Sequence, residues 1–259
     1  MKGLLGFKKP LIGMVHLLPL PGSPLSSGEG IEGVLRRALS DLAALEEGGA
    51  DAALVENFGD MPFPKRASKA TVAAMAVVVR ELVRASRIPV GVNVLRSDGE
   101  AALAIAAAAG AHFIRVNVFS GVAFTDQGVI EGEAHRLLSL RKALGAEVVI
   151  LADVNVKHAW HPLPLPQAVR DLARNRPDAL VVTGGGTGEP ASPADLALAK
   201  KGTDLPVLVG SGIRPENVAD FRIADGFVVG TSLKRGGVPQ APVDPARVRE
   251  LAAAISRLR

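Results

Sequence analysis

The chain is dominated by a repeated alternation of short apolar runs with segments of helical spacing. Eight runs of four to seven residues, rich in Val, Ile, Leu and Ala, recur along the 259 residues. This alternation is typical of a parallel sheet whose strands are buried on both faces. The predicted strands are Leu11–Val15, Ala52–Val55, Val90–Val94, Phe113–Val118, Val148–Ala152, Ala179–Val182, Val207–Gly210 and Gly226–Val229.

Eight βα units without a leftover segment predict an α/β fold, a (β/α)8 TIM barrel, as a single domain over residues 1–259. Such barrels typically have about 250 residues. An open doubly wound sheet is the alternative, but no G-x-G-x-x-G follows the first strand. The predicted helices are about Glu32–Glu47, Ala67–Ser86, Gly99–Ala109, Glu131–Leu144, Pro166–Asn175, Pro193–Lys201 and Pro245–Leu258, with one more beginning near Pro215.

The loops between these elements are unequal in length and composition. Helix-to-strand connections are tight, such as Gly48-Gly49-Ala50, whereas strand-to-helix connections are long and carry most of the His, Asn and Asp residues. In TIM-barrel enzymes the active site is built from the strand-to-helix loops at one face. Any chemistry is therefore predicted at that face.

Glycine turns follow the last three predicted strands. Gly210-Ser211-Gly212 and Gly230-Thr231-Ser232 are 20 residues apart, and Thr183–Gly188 is a third glycine-rich segment. Close backbone approach, free N–H groups and a hydroxyl make an anion-sized cradle, to which a helix beginning near Pro215 would add its positive end. For the third segment a flexible turn is the alternative. The predicted phosphate-binding residues are Gly184, Gly185, Thr187, Ser211, Gly212, Thr231 and Ser232.

Acidic side chains and one histidine stand at or just past strand ends. A carboxylate that closes an apolar strand is costly unless it is paired or used, and a barrel enzyme needs acid/base groups there. The alternative is an ion pair with Arg115 or Lys157 inside the barrel mouth. The predicted catalytic residues are Glu56, Asp153, His16 and Asp98.

Basic and amide side chains share these strand ends. Arginine suits carboxylate or phosphate, and asparagine can hydrogen-bond sugar hydroxyls. Asp153, Asn155 and Lys157 have a spacing of two and would face the same way if the strand persists. Lys157 is expected to bind an anion or pair with Asp153, with a Schiff base to a carbonyl substrate as the alternative. The predicted substrate-binding residues are Asn93, Arg115, Asn117, Asn155 and Lys157.

No cofactor or metal is expected. His16, Glu56 and Asp153 could together hold a divalent metal ion, but the chain has no HxH or HExxH pair with ligand spacing. A divalent metal therefore remains only an alternative.

Composition limits the partners. The formal charge of only +4, the scattered Lys and Arg residues, the single Trp and the absence of Tyr all argue against a nucleic-acid partner. A membrane span is not expected, because the chain has no run of about 20 apolar residues. The absence of cysteine fits a cytoplasmic protein. The stretch Ala70–Val83 looks too apolar for a solvated helix, which predicts a homo-oligomer.

Several motifs together resemble the BtpA/SgcQ family through most of the chain. They read MVHLLPLPGSP, ALVENFGDMPF, VGVNVLRSD, FIRVNVFSGVAFTDQGVIEG, ILADVNVKH, VVTGGGTGEP and VGSGIRPENV. The resemblance implies a TIM barrel of the ribulose-phosphate-binding type. One branch of that family is associated with photosystem I biogenesis and another carries the label of a nucleosidase, but neither supplies catalytic residues to carry over.

Two functions are therefore expected. The first is an enzyme, a nucleosidase or a sugar-phosphate isomerase or lyase, acting on a small phosphorylated sugar or ribosyl/nucleoside compound at the C-terminal face of the barrel. The alternative is a non-catalytic assembly factor of the photosystem I biogenesis type.

Overall fold

The computed structural model describes residues 4–26, 28 and 30–259. Eight parallel strands close into a barrel in the order β1-β11-β10-β9-β7-β4-β3-β2, which confirms the predicted fold class. The strands in chain order are β1 Leu11–His16, β2 Ala52–Glu56, β3 Val90–Asn93, β4 Phe113–Val116, β5 Val122–Thr125, β6 Gly128–Glu131, β7 Val149–Asp153, β8 Ala159–Trp160, β9 Ala179–Val182, β10 Val207–Val209 and β11 Gly226–Val229.

Seven α-helices occur within the described ranges, and several begin at the capping residue that the sequence supplies. Ser68 and Ser192 accept hydrogen bonds from first-turn N–H groups of the helices that follow them, as good N-caps do. The helices are α1 Gly30–Glu47, α2 Lys69–Ala85, α3 Gly99–Ala109, α4 Ala134–Ala143, α5 Leu165–Arg174, α6 Pro193–Gly202 and α7 Pro245–Ser256.

One predicted helix is wrong. The segment after Pro215 forms only a four-residue 3-10 helix, Val218–Phe221. The chain turns back into β11 at Gly226, which leaves too few residues for a full α-helix. No helix N-terminus from this segment therefore supports the glycine turn before it.

The barrel interior is a separate apolar cluster inside the ring of strands. Because side chains alternate along a strand, every second residue points inward. At Gly91 an added Cβ would lie 2.3 Å from the Phe113 ring, so glycine there makes room for the largest interior side chain. The interior cluster comprises Ile12, Met14, Ala52, Leu54, Phe113, Leu151, Ala179, Val181, Leu208 and Val228.

The same alternation makes the barrel polar at its C-terminal end. His16 and Glu56 stand two residues beyond Met14 and Leu54 of the interior cluster, and Arg115 stands two beyond Phe113. These three side chains are buried. The apolar interior thus ends in a layer of ionisable groups.

The segment predicted as a long loop after β4 contains a hairpin. β4 ends at Val116, and β5 and β6 pair antiparallel with β8 in a small three-stranded sheet beside the barrel. The two hairpin strands are joined at Thr125↔Gly128, so Asp126 and Gln127 form the turn. This sheet places the hairpin turn at the barrel mouth.

The apolar stretch in α2 is used largely within the subunit. Its buried residues include Met75, Val78, Val79 and Leu82, and among its larger apolar side chains Val77 is the exposed one. The apolar run is therefore accounted for by packing onto the barrel, and the homo-oligomer stays a prediction. No helix in the described part of the chain is long and apolar enough to cross a membrane.

Candidate functional site

Two adjoining cavities open at the C-terminal ends of the barrel strands. The first has a volume of about 690 Å³ and contains the glycine turns, and we call it the glycine lobe. The second, of about 500 Å³, contains Met61, Phe63 and Leu95, and we call it the aromatic lobe. The residues that line both lobes are Glu56, Phe58, Arg115, Lys157 and Thr187.

The glycine lobe is walled by the turns after β10 and β11. The backbone N–H groups of Gly212, Thr231 and Ser232 donate to no other backbone group in the described parts of the chain. Ser232 Oγ donates to the Ile213 carbonyl at 2.6 Å and so ties the two turns together. Unused N–H groups beside a hydroxyl suit an anionic ligand.

Gly212 has a conformation that only glycine adopts readily. Its φ is +63°, and an added Cβ would lie 2.3 Å from backbone atoms of Pro190. The turn after β10 can therefore pass close to the backbone of Pro190, which follows the third glycine segment. Arg214 and Arg247, which no sequence pattern singled out, also line the lobe. Arg247 Nη1 donates to the Ser232 carbonyl at 3.2 Å.

The third glycine segment contributes unequally. Thr187 lines both lobes, whereas Gly184 and Gly185 line neither. The Gly184 N–H donates to Ser211 Oγ at 2.7 Å, and the Gly185 carbonyl accepts from the His158 N–H at 3.0 Å. The two glycines thus hold neighbouring segments in place instead of facing the cavity.

A buried ion pair crosses the barrel mouth. Arg115 Nε and Nη2 donate to the two oxygens of Asp153, both at 2.9 Å, and Asn117 Nδ2 donates to Asp153 Oδ2 at 3.0 Å. Asp153 lines neither lobe. The alternative to a catalytic role for Asp153 was an ion pair with Arg115, and the structure has that ion pair. Asp153 thus positions Arg115 at the junction of the lobes.

Asn93 extends this network. Its Nδ2 donates to Asn117 Oδ1 at 3.0 Å and to the Arg115 carbonyl at 3.1 Å. Its Oδ1 is buried and has no partner among the described residues. Asn117 lines the aromatic lobe but Asn93 lines neither, so Asn93 supports the site from below.

Glu56 is the one carboxylate among the described residues that lines both cavities. It is buried, lines both lobes, and its Oε1 lies 3.8 Å from His16 Nε2, which is too long for a hydrogen bond. Burial raises the pKa of Glu56 above its ordinary value, with Arg115 opposing that rise. This combination fits a group that exchanges a proton with a ligand.

His16 is held as a neutral ring. Its Nδ1 donates to the Pro239 carbonyl at 2.9 Å, and the ring stacks on Phe58 with centroids 4.3 Å apart. Burial lowers the pKa of His16 to about 3, and Lys234 adds to the effect. Because a carbonyl can only accept, Nδ1 carries the proton and Nε2 is left as an acceptor toward Glu56.

Lys157 lies at the junction of the two lobes. Burial lowers its pKa, and the neighbouring Arg115 lowers it further. Asp153 is paired with Arg115 instead. Of the two expectations for Lys157, the ion pair with Asp153 is therefore wrong, and the binding of an anion stays a prediction. Lys157 is thus placed to meet a ligand from either lobe.

Two other predicted residues lie away from the cavities. β7 ends at Asp153, so the spacing of two fails beyond it, and Asn155 lines neither lobe. Asp98 is the N-cap of α3: its oxygens accept from the N–H groups of Ala101 and Ala67, and it pairs with Arg66. Its carboxylate therefore holds the helix start and the preceding loop.

A metal site was the alternative for His16, Glu56 and Asp153, and the described residues do not form one. Among the described residues no group of three or more His, Cys, Asp or Glu side chains is arranged to hold an ion. Both oxygens of Asp153 already accept hydrogen bonds, from Arg115 and Asn117.

The aromatic lobe was missed because its walls come from separate loops. Phe58, Met61 and Phe63 follow β2, Leu95 and Arg96 follow β3, and Asp126 and Gln127 form the hairpin turn. The only sequence signal was the aromatic content of the loop after β2 in a chain with few aromatic residues.

Comparison with known proteins agrees with the resemblance of the motifs. A sequence profile of the BtpA family matches residues 7–257. The chain belongs to the BtpA family. A protein of Thermococcus kodakarensis whose function is uncharacterized is 52% identical over 97% of both chains. The photosystem I biogenesis protein BtpA of Synechocystis is 48% identical over 92% of this chain and 85% of its own length.

Solved structures support the fold of this BtpA-family chain. Phosphoribosyl anthranilate isomerase from Thermus thermophilus superposes with a TM-score of 0.61 at 15% identity, over 96% of this chain and 100% of its own. Thiamine phosphate pyrophosphorylase from Pyrococcus furiosus gives a TM-score of 0.58 at 16% identity, covering 96% of each chain. At these identities the likeness supports a TIM barrel and nothing finer.

Proposed function

We propose that this BtpA-family barrel is an enzyme that acts on a phosphorylated sugar or ribosyl/nucleoside compound. The observation that carries the proposal is the glycine lobe, where unused N–H groups of Gly212, Thr231 and Ser232 border a cavity shared with Arg115 and Lys157. In TIM barrels the loops after the last two barrel strands frequently bind phosphate. The turns after β10 and β11 occupy that place.

The proposed roles follow from which groups face the cavities. Glu56 gives or takes a proton, because its raised pKa leaves more of it protonated near neutral pH than an exposed glutamate. Neutral His16 accepts a hydrogen bond through Nε2 from a sugar hydroxyl. Lys157 and Arg115 meet the negative charge of the substrate. Glycosidic cleavage by a nucleosidase and isomerase or lyase chemistry both remain within the proposal.

A second candidate function rests on one relative. The Synechocystis protein that is 48% identical to this chain is named for photosystem I biogenesis. An assembly factor of that kind would need no ionisable cluster at the barrel mouth. The buried polar layer of His16, Glu56 and Arg115, each costly to maintain, makes us favour the enzyme.

Three further predictions accompany the proposal. The chain 1–259 is one domain, it forms a homo-oligomer and it resides in the cytoplasm. Light scattering at micromolar concentration tests the second, since a monomeric mass would contradict it.

A thermal-shift panel tests the proposed function. Inorganic phosphate, pentose 5-phosphates and nucleoside monophosphates are compared with the matching unphosphorylated sugars and nucleosides. A ligand present at 100 times its Kd stabilises the fold by about 2.7 kcal/mol, which raises the melting temperature measurably. Stabilisation confined to the phosphorylated members is the expected result. An unchanged melting temperature with every member of the panel would shift the weight to the assembly factor.

A further inference from the structure

We propose that the aromatic lobe binds a flat heterocyclic ring carried by the same molecule whose phosphate occupies the glycine lobe. The inference rests on the proposed function and narrows it: the substrate is a phosphorylated ribosyl compound joined to a planar ring, not a bare sugar phosphate. Shared walls make the two lobes one bipartite site, since Glu56, Arg115 and Lys157 line both.

The first argument is the shape and lining of the lobe. Its volume of about 500 Å³ lies in the range of small-molecule pockets, and Phe58, Met61, Phe63 and Leu95 supply apolar walls. In a chain with 3% aromatic residues, two of its eight phenylalanines meet in this lobe. Phe58 is held in place by its stack on His16. Such walls favour the faces of a flat ring over a hydrated sugar.

The second argument is the polar edge of the lobe. Arg96 is buried, and its Nη2 donates to the Lys157 carbonyl at 2.6 Å, which fixes the guanidinium against the lobe. Gln127 Nε2 donates to Asp126 Oδ2 at 2.6 Å, while its Oε1 is buried without a partner among the described residues. The edge thus offers a donor and an unused acceptor, so it matches a heterocycle that carries both C=O and N–H groups better than a plain hydrocarbon ring.

The third argument is the position of the ionisable groups between the lobes. With the phosphate at the glycine turns and the ring between Phe58 and Phe63, the sugar spans Glu56 and Lys157. The bond that joins sugar to ring then lies beside Glu56, the one carboxylate that faces both lobes. A bare sugar phosphate would leave the aromatic lobe without a ligand group.

Calorimetric titration separates this inference from the function on which it rests. The probes are ribose 5-phosphate, a purine and a pyrimidine nucleoside 5′-monophosphate, and the free nucleosides. We expect at least one monophosphate to bind at least tenfold more tightly than ribose 5-phosphate. Equal Kd values for ribose 5-phosphate and both nucleotides would overturn the ring proposal and leave the phosphate proposal standing. Failure of all phosphorylated probes to bind would overturn both.

Variants of residues in the aromatic lobe test whether the tighter binding of the nucleotide arises there. Phe63→Ala should remove most of the nucleotide's advantage and change the Kd of ribose 5-phosphate by less than twofold. Gln127→Ala, which removes the unpaired acceptor, is the second variant should Phe63→Ala fail to fold. Phe124→Ala is the matched control, because Phe124 is 43% exposed and packs on Trp160 outside the lobe. A nucleotide advantage that survives both Phe63→Ala and Gln127→Ala would contradict the assignment.

Discussion

At the scale of single residues, the barrel mouth depends on the charge that each buried group keeps. Burial raises the pKa of Glu56 and lowers the pKa values of His16 and Lys157, and it is the largest cause of the shift in each case. Each of these shifts favours the neutral form of the side chain. Arg115 and Asp153, by contrast, form an ion pair with each other at 2.9 Å. The site therefore combines one fixed ion pair with three groups whose burial favours the neutral form.

Glu56→Gln tests the proposed proton transfer. The amide keeps the size of the side chain but cannot give or take a proton, so turnover of a substrate identified by the ligand panel should fall by about 100-fold or more. Ligand-induced stabilisation should persist, since the cavity is unchanged. Glu147→Gln, an exposed change far from the mouth, is the control. Full turnover by Glu56→Gln would remove the role from this residue.

His16 gives a prediction on stability and pH. The pKa of His16 is about 3 in the folded chain and 6.5 in the unfolded chain. Between these two pH values the unfolded chain therefore binds a proton at His16 and the folded chain does not. The stabilisation of the folded state that comes from the neutral His16 ring is present above pH 6.5 and is lost as the pH falls toward 3. At about 1.4 kcal/mol per pKa unit, the loss by pH 4 is about 3 kcal/mol.

The measurement is urea unfolding of the wild type and of His16→Asn at several pH values between 7 and 4. Asparagine can still donate to the Pro239 carbonyl but does not titrate. The wild type should lose stability more steeply than His16→Asn as the pH falls. Parallel curves would show that the ring is not held neutral.

At the scale of the elements, helix starts and turns decide which polar residues reach the cavities. Asp98 caps α3 and pairs with Arg66, although a carboxylate just past a strand suggests catalysis. The sequence held the contrary signal, because Asp98 directly precedes the predicted start of a helix at Gly99, which is the position of an N-cap.

Asp98→Ala should separate these two roles. Loss of the cap should lower the free energy of unfolding by about 1 to 2 kcal/mol. Ligand affinity and turnover of the folded protein should stay within about twofold of wild type, because Asp98 lines neither lobe. A large loss of turnover in a stably folded variant would return Asp98 to the catalytic set.

Gly212→Ala tests the turn after β10. The substitution strains a φ of +63° and drives a Cβ into the Pro190 backbone, so both stability and binding of phosphorylated ligands should decline. Gly145→Ala is the matched control, with a φ of +59° and open space around the added Cβ. It should carry the conformational cost alone and leave ligand binding unchanged. Equal effects of the two variants on ligand affinity would contradict the cradle.

At the scale of the whole molecule, the barrel was predictable because its signal is periodic and local. Runs such as Ala179–Val182 and Gly226–Val229 have the bounds that the sequence predicts, and the alternation along each strand places Glu56 and Arg115 at the inner mouth. The predictions that were wrong concern features set by the number of residues left in a segment or by contacts between loops that are distant in the sequence. Asn155 lies beyond the end of its strand, and too few residues follow Pro215 for an α-helix.

The aromatic lobe was beyond prediction for a different reason. It is assembled from the loops after β2, β3, β7 and β9, the end of β4 and the turn of the hairpin, which the closed barrel brings together. No spacing within the chain encodes that meeting. The hairpin itself had a signal, since alternating runs flank a turn that ends in Gly128.

The central claim is that the glycine turns hold a phosphate while the ionisable groups face the rest of the substrate. A crystal structure of the protein with ribose 5-phosphate at a saturating concentration tests it most directly. The account predicts phosphate oxygens within hydrogen-bonding distance of the Gly212, Thr231 and Ser232 N–H groups, with the ribose pointing toward Glu56. Density for the phosphate elsewhere on the barrel, with the turns vacant, would contradict it.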